Sequence, residues 1–356
     1  MDYYDNPYCD DMNSYIIFQY YLKHNIINAY YVINIQSDLY KSLLKKNQTQ
    51  NLIPVYSSQF IYNVIYSYIL NSKIIINSYI IHEIQKVVSQ VNYLKYLFIT
   101  HAIGYFKTKI IAPQFNYLIE KKRNIIISSP YEYNKYKKDY KYNDSYMYKA
   151  GLPRYDLFQS FKKNNSEKEC ILISFSYRNY NNQIYNLSLY KKNIEKLLND
   201  SDLISFLNNK NIDLIYIQHH YDVLRKRPFN PNLFHYVKYR DQSFLAHYIN
   251  QCSLFITDFS TICFDFMFLN KPVLFYLIDL NDTIEFDEKE YMKFDNNIYF
   301  DNIFLSQNSL IKRIEYYINN NFEIDDDLSK KYDSIFYYKN NITERIINII
   351  NIIIRK

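Results

Sequence analysis

Short apolar runs alternate along this chain with longer segments whose apolar side chains return every three or four positions. The first kind reads as buried strand and the second as amphipathic helix. The pattern predicts helix over Tyr15–Leu22, strand over Ala29–Ile35 and a short helix over Asp38–Lys46. A strand near Leu52–Tyr56 and a helix over Ser58–Leu70 come after these. Strands come next at Lys73–Ser78 and Tyr96–Thr100, the second running straight into His101. Helical Pro113–Leu118, strand Asn124–Ser128, helix Pro130–Tyr136 and strand Ser145–Ala150 complete the first half, which closes at GLPRYD (151–156).

A polar, lysine-rich stretch, Gln159–Lys168, has the composition of a linker. The alternation then restarts. Strands are predicted at Cys170–Phe175, Asp213–Gln218, Phe234–Tyr236, Ser253–Thr257 and Pro272–Tyr276. Helices are predicted at Ser188–Leu198, Asp200–Asn208, Ser243–Asn250, Ser260–Leu269, Leu305–Asn319 and Asn341–Arg355. Strand and helix in alternation mean an α/β protein with parallel sheets. Two such runs predict two Rossmann-like domains facing a cleft, residues 1–160 and 161–356, with the terminal helices in the second. Ligands of such sheets bind beyond the C-terminal strand ends, and the polar motifs of this chain fall there.

Composition narrows the class. A chain of 356 residues with 48% hydrophobic and 19% aromatic content can bury two cores and is not disordered. The net charge of +6 is dispersed, in clusters such as Lys121–Lys122–Arg123 and Lys137–Lys138. It suits solvated surface, an anionic substrate or an anionic membrane face. No nucleic-acid recognition motif accompanies it. Cysteines 9, 170, 252 and 263 show no CxxC spacing, and Cys170 and Cys263 read as buried reduced thiols of a cytosolic protein. The acidic start lacks the apolar core of a signal peptide. The final helix is expected to be a packed amphipathic one opened by a capping box of Asn341 and Glu344. Only two glycines occur, Gly104 and Gly151, where average usage of about 7% would give roughly 25. Codon drift in an AT-rich genome removes glycine wherever the backbone allows, so these two mark a positive φ or a close approach.

Three constellations carry chemistry. In ITDFSTICFDF (256–266) a strand runs into Asp258, and Ser260 and Thr261 open the predicted helix. Hydroxyls and unpaired amides at such a point hold an anion, and the same residue types also make an ordinary N-cap. Asp258 either orients a histidine or caps the helix. His101, at a strand end, is a packed histidine or a base facing the ligand. His219 and His220 have no carboxylate or cysteine at ligand spacing, and successive strand residues point opposite ways. No metal is expected there.

Taken whole, TDFST followed by FDF, LNKPVLFY and Asp279 resembles the signature of CDP-glycerol glycerophosphotransferases, enzymes that polymerise teichoic-acid-like poly(glycerol phosphate). The resemblance extends over nearly the whole chain. ITHAIGYFK supplies the histidine–glycine–lysine segment as His101, Gly104 and Lys107. SSPYE (128–132) looks like the family's SS-x-x-E, and GLPRYD like its G-x-PR-x-D. ILISFSYR leaves Arg178 in place of the family arginine, and IYIQHH puts His219 in the histidine position. The opening DNPYCDD is similar to the family's early Asp-Asn segment. Two departures stand out: Ala102 where the family has glycine, and His220 where it has proline.

The resemblance implies a GT-B-type glycosyltransferase arrangement. It also implies transfer of glycerol phosphate from CDP-glycerol to a hydroxyl of a cell-surface polymer or lipid-linked saccharide acceptor, with release of CMP. His101 would be the general base and His219 would assist the leaving CMP. Gly104, Lys107, Arg178, Asp258, Ser260 and Thr261 would bind substrate, with no metal and no cofactor. The expected place is the cytoplasm, peripheral to the inner face of the membrane. A glycosyltransferase, a CDP-ribitol or other polyol-phosphate transferase, and a non-catalytic binding homologue share these motifs.

Overall fold

The computed structural model describes residues 12–25, 28–55, 67–78, 91, 93–100, 102–104, 123–161, 168–176, 187–218, 238–240, 245–278 and 302–356. The chain divides into two compact units. Unit 1 comprises Met1–Ile103, Ala112–Leu157 and Phe336–Lys356, and unit 2 comprises Gly104–Ile111 and Phe158–Ile335.

In unit 1, helix α1 (Met12–Lys23) precedes strand β1 (Tyr31–Asn34), helix α2 (Asp38–Lys45) and strand β2 (Leu52–Val55), and β1 pairs with β2 in parallel. A second parallel sheet runs in sequence order: β3 (Ile74–Asn77), β4 (Lys95–Ile99), β5 (Asn124–Ile127) and β6 (Met147–Lys149). Helix α3 (Pro130–Asp139) starts at the SSPYE motif. Ser129 accepts from the Glu132 amide at 3.0 Å, and the Glu132 carboxylate accepts from the Ser128 amide at 2.8 Å. Pro130 at the first helical position needs no partner for an N–H it lacks. Glu132, fully buried, therefore starts a helix. Helix α4 (Arg154–Ser160) rises from GLPRYD, where the hydrophobic pattern alone predicts no helix.

Unit 2 holds a six-stranded, wholly parallel sheet in the order β12-β11-β10-β7-β8-β9. Its strands are β7 (Cys170–Ile173), β8 (Asp213–Ile217), β9 (Lys238–Arg240), β10 (Leu254–Thr257), β11 (Val273–Tyr276) and β12 (Ile303–Phe304). The helices are α5 (Leu187–Leu198), α6 (Ser201–Asn209), α7 (Leu245–Gln251), α8 (Cys263–Phe268), α9 (Gln307–Asn319) and α10 (Asp326–Asp333). Every residue of β7, β10 and β11 is buried, as expected of parallel strands covered on both faces. Ile171, Ile173, Ile256 and Leu274 share a core with Ile194, Leu197, Leu203 and Leu310. Elsewhere Phe255 stacks on Phe266 at 4.7 Å. Lys271 donates to the carbonyls of Ile249 (2.8 Å) and Asn250 (2.6 Å) and lies over the Phe266 ring. Its charge thus closes the C-terminal end of α7. Cys170 and Cys263 are buried free thiols, as expected, and so is Cys252. The predicted strand Phe234–Tyr236 and helix Pro113–Leu118 lie outside the described residues.

The last helix, α11 (Ile342–Arg355), differs from its expected placement in the second domain: it belongs to unit 1. It packs against α1 and β4, burying Ile342, Ile346, Ile347, Ile350 and Ile353. The expected Asn341–Glu344 capping box is absent. Asn341 sits in the left-handed region (φ 55°) and makes no side-chain cap bond. The cap comes instead from α4. The Asp156 carboxylate accepts from the Ile342 amide (3.1 Å) and the Thr343 amide (2.6 Å). Gly151 explains itself here, because a Cβ on it would stand 2.9 Å from Ile342 Cδ1 and 3.2 Å from Cγ1 and Cγ2. Close approach keeps this glycine, and among the described residues no glycine has positive φ. That conformation falls mainly to asparagine: residues 25, 28, 47, 51, 211, 270, 321 and 341 adopt it, with Lys141 and Phe322. Asn47, Asn211 and Asn270 each come directly after the C-cap of a helix, the position usually given to glycine.

Candidate functional site

The strand order of unit 2 reverses beside β7. The chain passes from β7 to β8 and β9 on one side, then returns to β10 and continues to β11 and β12 on the other. In an open parallel sheet the ligand crevice lies at that reversal, beyond the carboxyl ends of the two strands. Here these are the ends of β7 and β10, with Arg178 after the first in sequence and the pair Ser260–Thr261 after the second.

The backbone ladder between β7 and β10 stops at this edge, and side chains continue it. The Ser174 amide donates to the Ile256 carbonyl at 3.1 Å. One residue on, the Thr257 hydroxyl donates to the Ser174 carbonyl at 2.7 Å. Next, the Ser176 amide donates to both carboxylate oxygens of Asp258, at 2.9 and 3.1 Å. The Phe259 amide turns back onto Asp258 Oδ1 at 2.6 Å. Thr257 and Asp258 are fully buried. A buried carboxylate is stable only when amides or cations satisfy it, and these amides do so. Ser174 and Ser176 do not stand out in the sequence. Their partners lie 82 or 83 residues away, a pairing that no local pattern displays.

The turn after Asp258 departs from expectation. The sequence pattern predicts a helix from Ser260, but α8 begins at Cys263, spans six residues, and has Ile262 as an N-cap with no side-chain bond. Asp258 does not cap it, because its oxygens are taken by Ser176 and Phe259. The Ser260 hydroxyl accepts from the Ile262 amide at 3.4 Å, and the Cys263 amide donates to the Ser260 carbonyl at 3.1 Å. Ser260 therefore builds a tight turn that competes with helix. Ser260 and Thr261 are half-buried. Among the described residues nothing accepts from their two amides, and the Thr261 hydroxyl has no partner. Consecutive unpaired amides in a turn form an anion-binding concavity without a long helix behind them.

Behind the turn α8 is buried along its whole length. Burial pushes the Cys263 thiol well above its usual range, and the Asp265 carboxylate pushes it further. Such a thiol stays protonated and inert. Asp265 is itself buried in the first turn of α8.

His101, Lys107, Arg178 and His219 lie outside the described residues, as does Asp279. Gly104 is half-buried and comes after the buried Ala102 and Ile103. The structure thus brings together Asp258, Ser260 and Thr261 and adds Thr257, Ser174 and Ser176 to them. Among the described residues no group of three His, Cys, Asp or Glu side chains is placed to hold a metal ion. No helix among them is long and apolar enough to cross a membrane.

A family model described as CDP-Glycerol:Poly(glycerophosphate) glycerophosphotransferase matches residues 5–351. The chain is 27% identical over 276 residues to the minor teichoic acid biosynthesis protein GgaB of Bacillus subtilis (strain 168), covering 72% of this chain and 29% of that protein. It is 25% identical over 186 residues to the teichoic acid glycerol-phosphate primase of the same organism, covering 49% of this chain and 44% of that protein. The chain thus matches less than half the length of either relative. Among solved structures it resembles the wall teichoic acid polymerase TagF, with a TM-score of 0.68 at 13% identity over 96% of this chain and 86% of that one. It also resembles the S. aureus MnaA–UDP structure, with a TM-score of 0.61 at 11% identity over 97% and 94% of the two chains. These likenesses establish the α/β, GT-B-type fold class.

Proposed function

The chain belongs to the CDP-glycerol:poly(glycerophosphate) glycerophosphotransferase family, and we propose that it transfers glycerol phosphate from CDP-glycerol to a hydroxyl of a teichoic-acid-type polymer or lipid-linked acceptor. The observation that carries this reading is the pair of amides at Ser260 and Thr261, unpaired among the described residues, at the reversal of strand order in unit 2. That is where an α/β sheet takes a phosphorylated ligand. The Thr261 hydroxyl and these amides grip the pyrophosphate of the donor, and Arg178 adds a positive charge to it.

In the reaction the acceptor oxygen attacks the phosphorus that carries glycerol. The bond from that phosphorus to the bridging oxygen of CMP breaks, and CMP leaves with the electron pair. His101 takes the acceptor proton as general base, and protonated His219 assists the departing CMP. Lys107 and Gly104 line the substrate side. The scattered excess of positive charge fits work at the inner face of a membrane bearing the acceptor.

The test is CMP release from CDP-glycerol by purified protein, with and without a lipid-linked acceptor fraction, beside His101→Ala. Acceptor-dependent release is expected, and its fall by about 10²–10⁴-fold in the variant identifies His101 as the base. Binding of CDP-glycerol without release would replace this reading with that of a non-catalytic homologue. Neither binding nor release would move the donor to CDP-ribitol or a nucleotide sugar.

A further inference from the structure

A parallel strand pair extends itself most simply by further backbone rungs. After Ser174 and Ile256 the pair β7–β10 does otherwise: the next two ties run through the Thr257 hydroxyl and the Asp258 carboxylate. In the first tie a hydroxyl stands in for a backbone N–H, and in the second a carboxylate stands in for a backbone carbonyl. A carboxylate has enough lone pairs to take the Ser176 amide on two oxygens and the Phe259 amide on one of them. It thereby fixes two peptide planes at once. Ser176 is two residues before Arg178, and Phe259 is the residue before Ser260. One enclosed side chain thus fixes Ser176 just beyond the end of β7 and the start of the turn that carries Ser260 and Thr261.

We infer that Asp258 is a positioning residue for the pyrophosphate of the donor, acting through Ser176 and Phe259 and touching no substrate itself. The inference rests on the donor reading just given. Asp258 is fully buried, so it has no surface to offer a ligand. Its negative charge would also repel a diphosphate if the Ser176 and Phe259 amides did not stand against it. With the Phe259 amide turned inward at 2.6 Å, the next two amides are left without partners among the described residues.

The test compares wild type with Asp258→Asn, which keeps shape and one oxygen but sets an NH₂ group against one of the two amides. Affinity for inorganic pyrophosphate, CDP-glycerol KM and thermal melting are measured on both. Pyrophosphate affinity is expected to weaken about 10-fold or more, with KM rising in step, while melting moves by no more than about 3 °C. Unchanged pyrophosphate affinity overturns the inference, as does a loss that merely tracks the unfolded fraction. Wild type that binds pyrophosphate but not CDP-glycerol overturns the donor reading alone, and the variant's pyrophosphate affinity then still decides the role of Asp258. Wild type that binds neither overturns both. Should the variant not fold, hydrogen exchange on wild type decides instead. Added pyrophosphate should slow the Ser260 and Thr261 amides and leave Ser176 and Phe259, already bonded, unchanged, and no slowing at Ser260 and Thr261 overturns the inference.

Discussion

Both units contain a motif aspartate that takes two backbone amides, and the two do different jobs. In unit 1, Asp156 takes the first two amides of α11 and holds a helix in place. In unit 2, Asp258 takes one amide from the segment after β7 and one from its own turn, and so fixes the gap between two strand ends. The chemistry of the two bonds is the same. The difference lies in the residues just past each donor: for Asp156 a buried isoleucine stripe, for Asp258 the residues assigned to phosphate. An acid in a family motif is therefore not by itself evidence of contact with substrate.

The comparison breaks most visibly at Asp156. Asp156→Ala leaves two helix-start amides unsatisfied and should cost about 2 kcal/mol. Thermal unfolding should show the loss while the KM for CDP-glycerol stays at the wild-type value. A shifted KM at full folding would move Asp156 into the same class as Asp258. Gly151→Ala sharpens the unit 1 side. Its new methyl meets a fully buried Ile342, for about 1–2 kcal/mol of overpacking. Ile342→Val in the same chain should return part of that loss, and strict additivity in the double mutant would show that the contact is not the cause. The smallest effect is expected at Thr257→Val, which removes the tie next to Asp258 without changing shape. It should lower stability by about 1 kcal/mol and leave pyrophosphate affinity nearly unchanged. A large affinity loss there would spread the positioning role over both side chains.

How much of this is visible in the sequence depends on the range of each interaction. The strands of unit 2 are plain because β7, β10 and β11 are apolar at nearly every position and buried throughout. Helix α10 is not, since its DDLSKKYD buries only Leu328 and Tyr332 and leans on the Asp325 cap (2.7 Å to the Leu328 amide). The start of α8 is misplaced by the pattern because a serine after a strand reads as an N-cap, while Ser260 here closes a turn. At the site, Ser260 and Thr261 are legible as local chemistry. The partner of Asp258 is not, because Ser176 lies 82 positions earlier and its backbone amide, not its hydroxyl, makes the bond. The placement of α11 in unit 1 is hidden for the same reason, since Asp156 and Ile342 stand 186 residues apart.

The asparagines in left-handed turns bear on the unfolded chain as much as on the folded one. Glycine would fit these φ values with less strain. It would also widen the ensemble of conformations that folding must collapse, a penalty of about 0.4–1 kcal/mol per position. Asparagine accepts some strain in the native turn and narrows the denatured ensemble in return. Such turns can thus do without glycine at little net cost. Gly151 differs, because the obstacle there is the volume of Ile342 and a turn-forming substitute offers no relief.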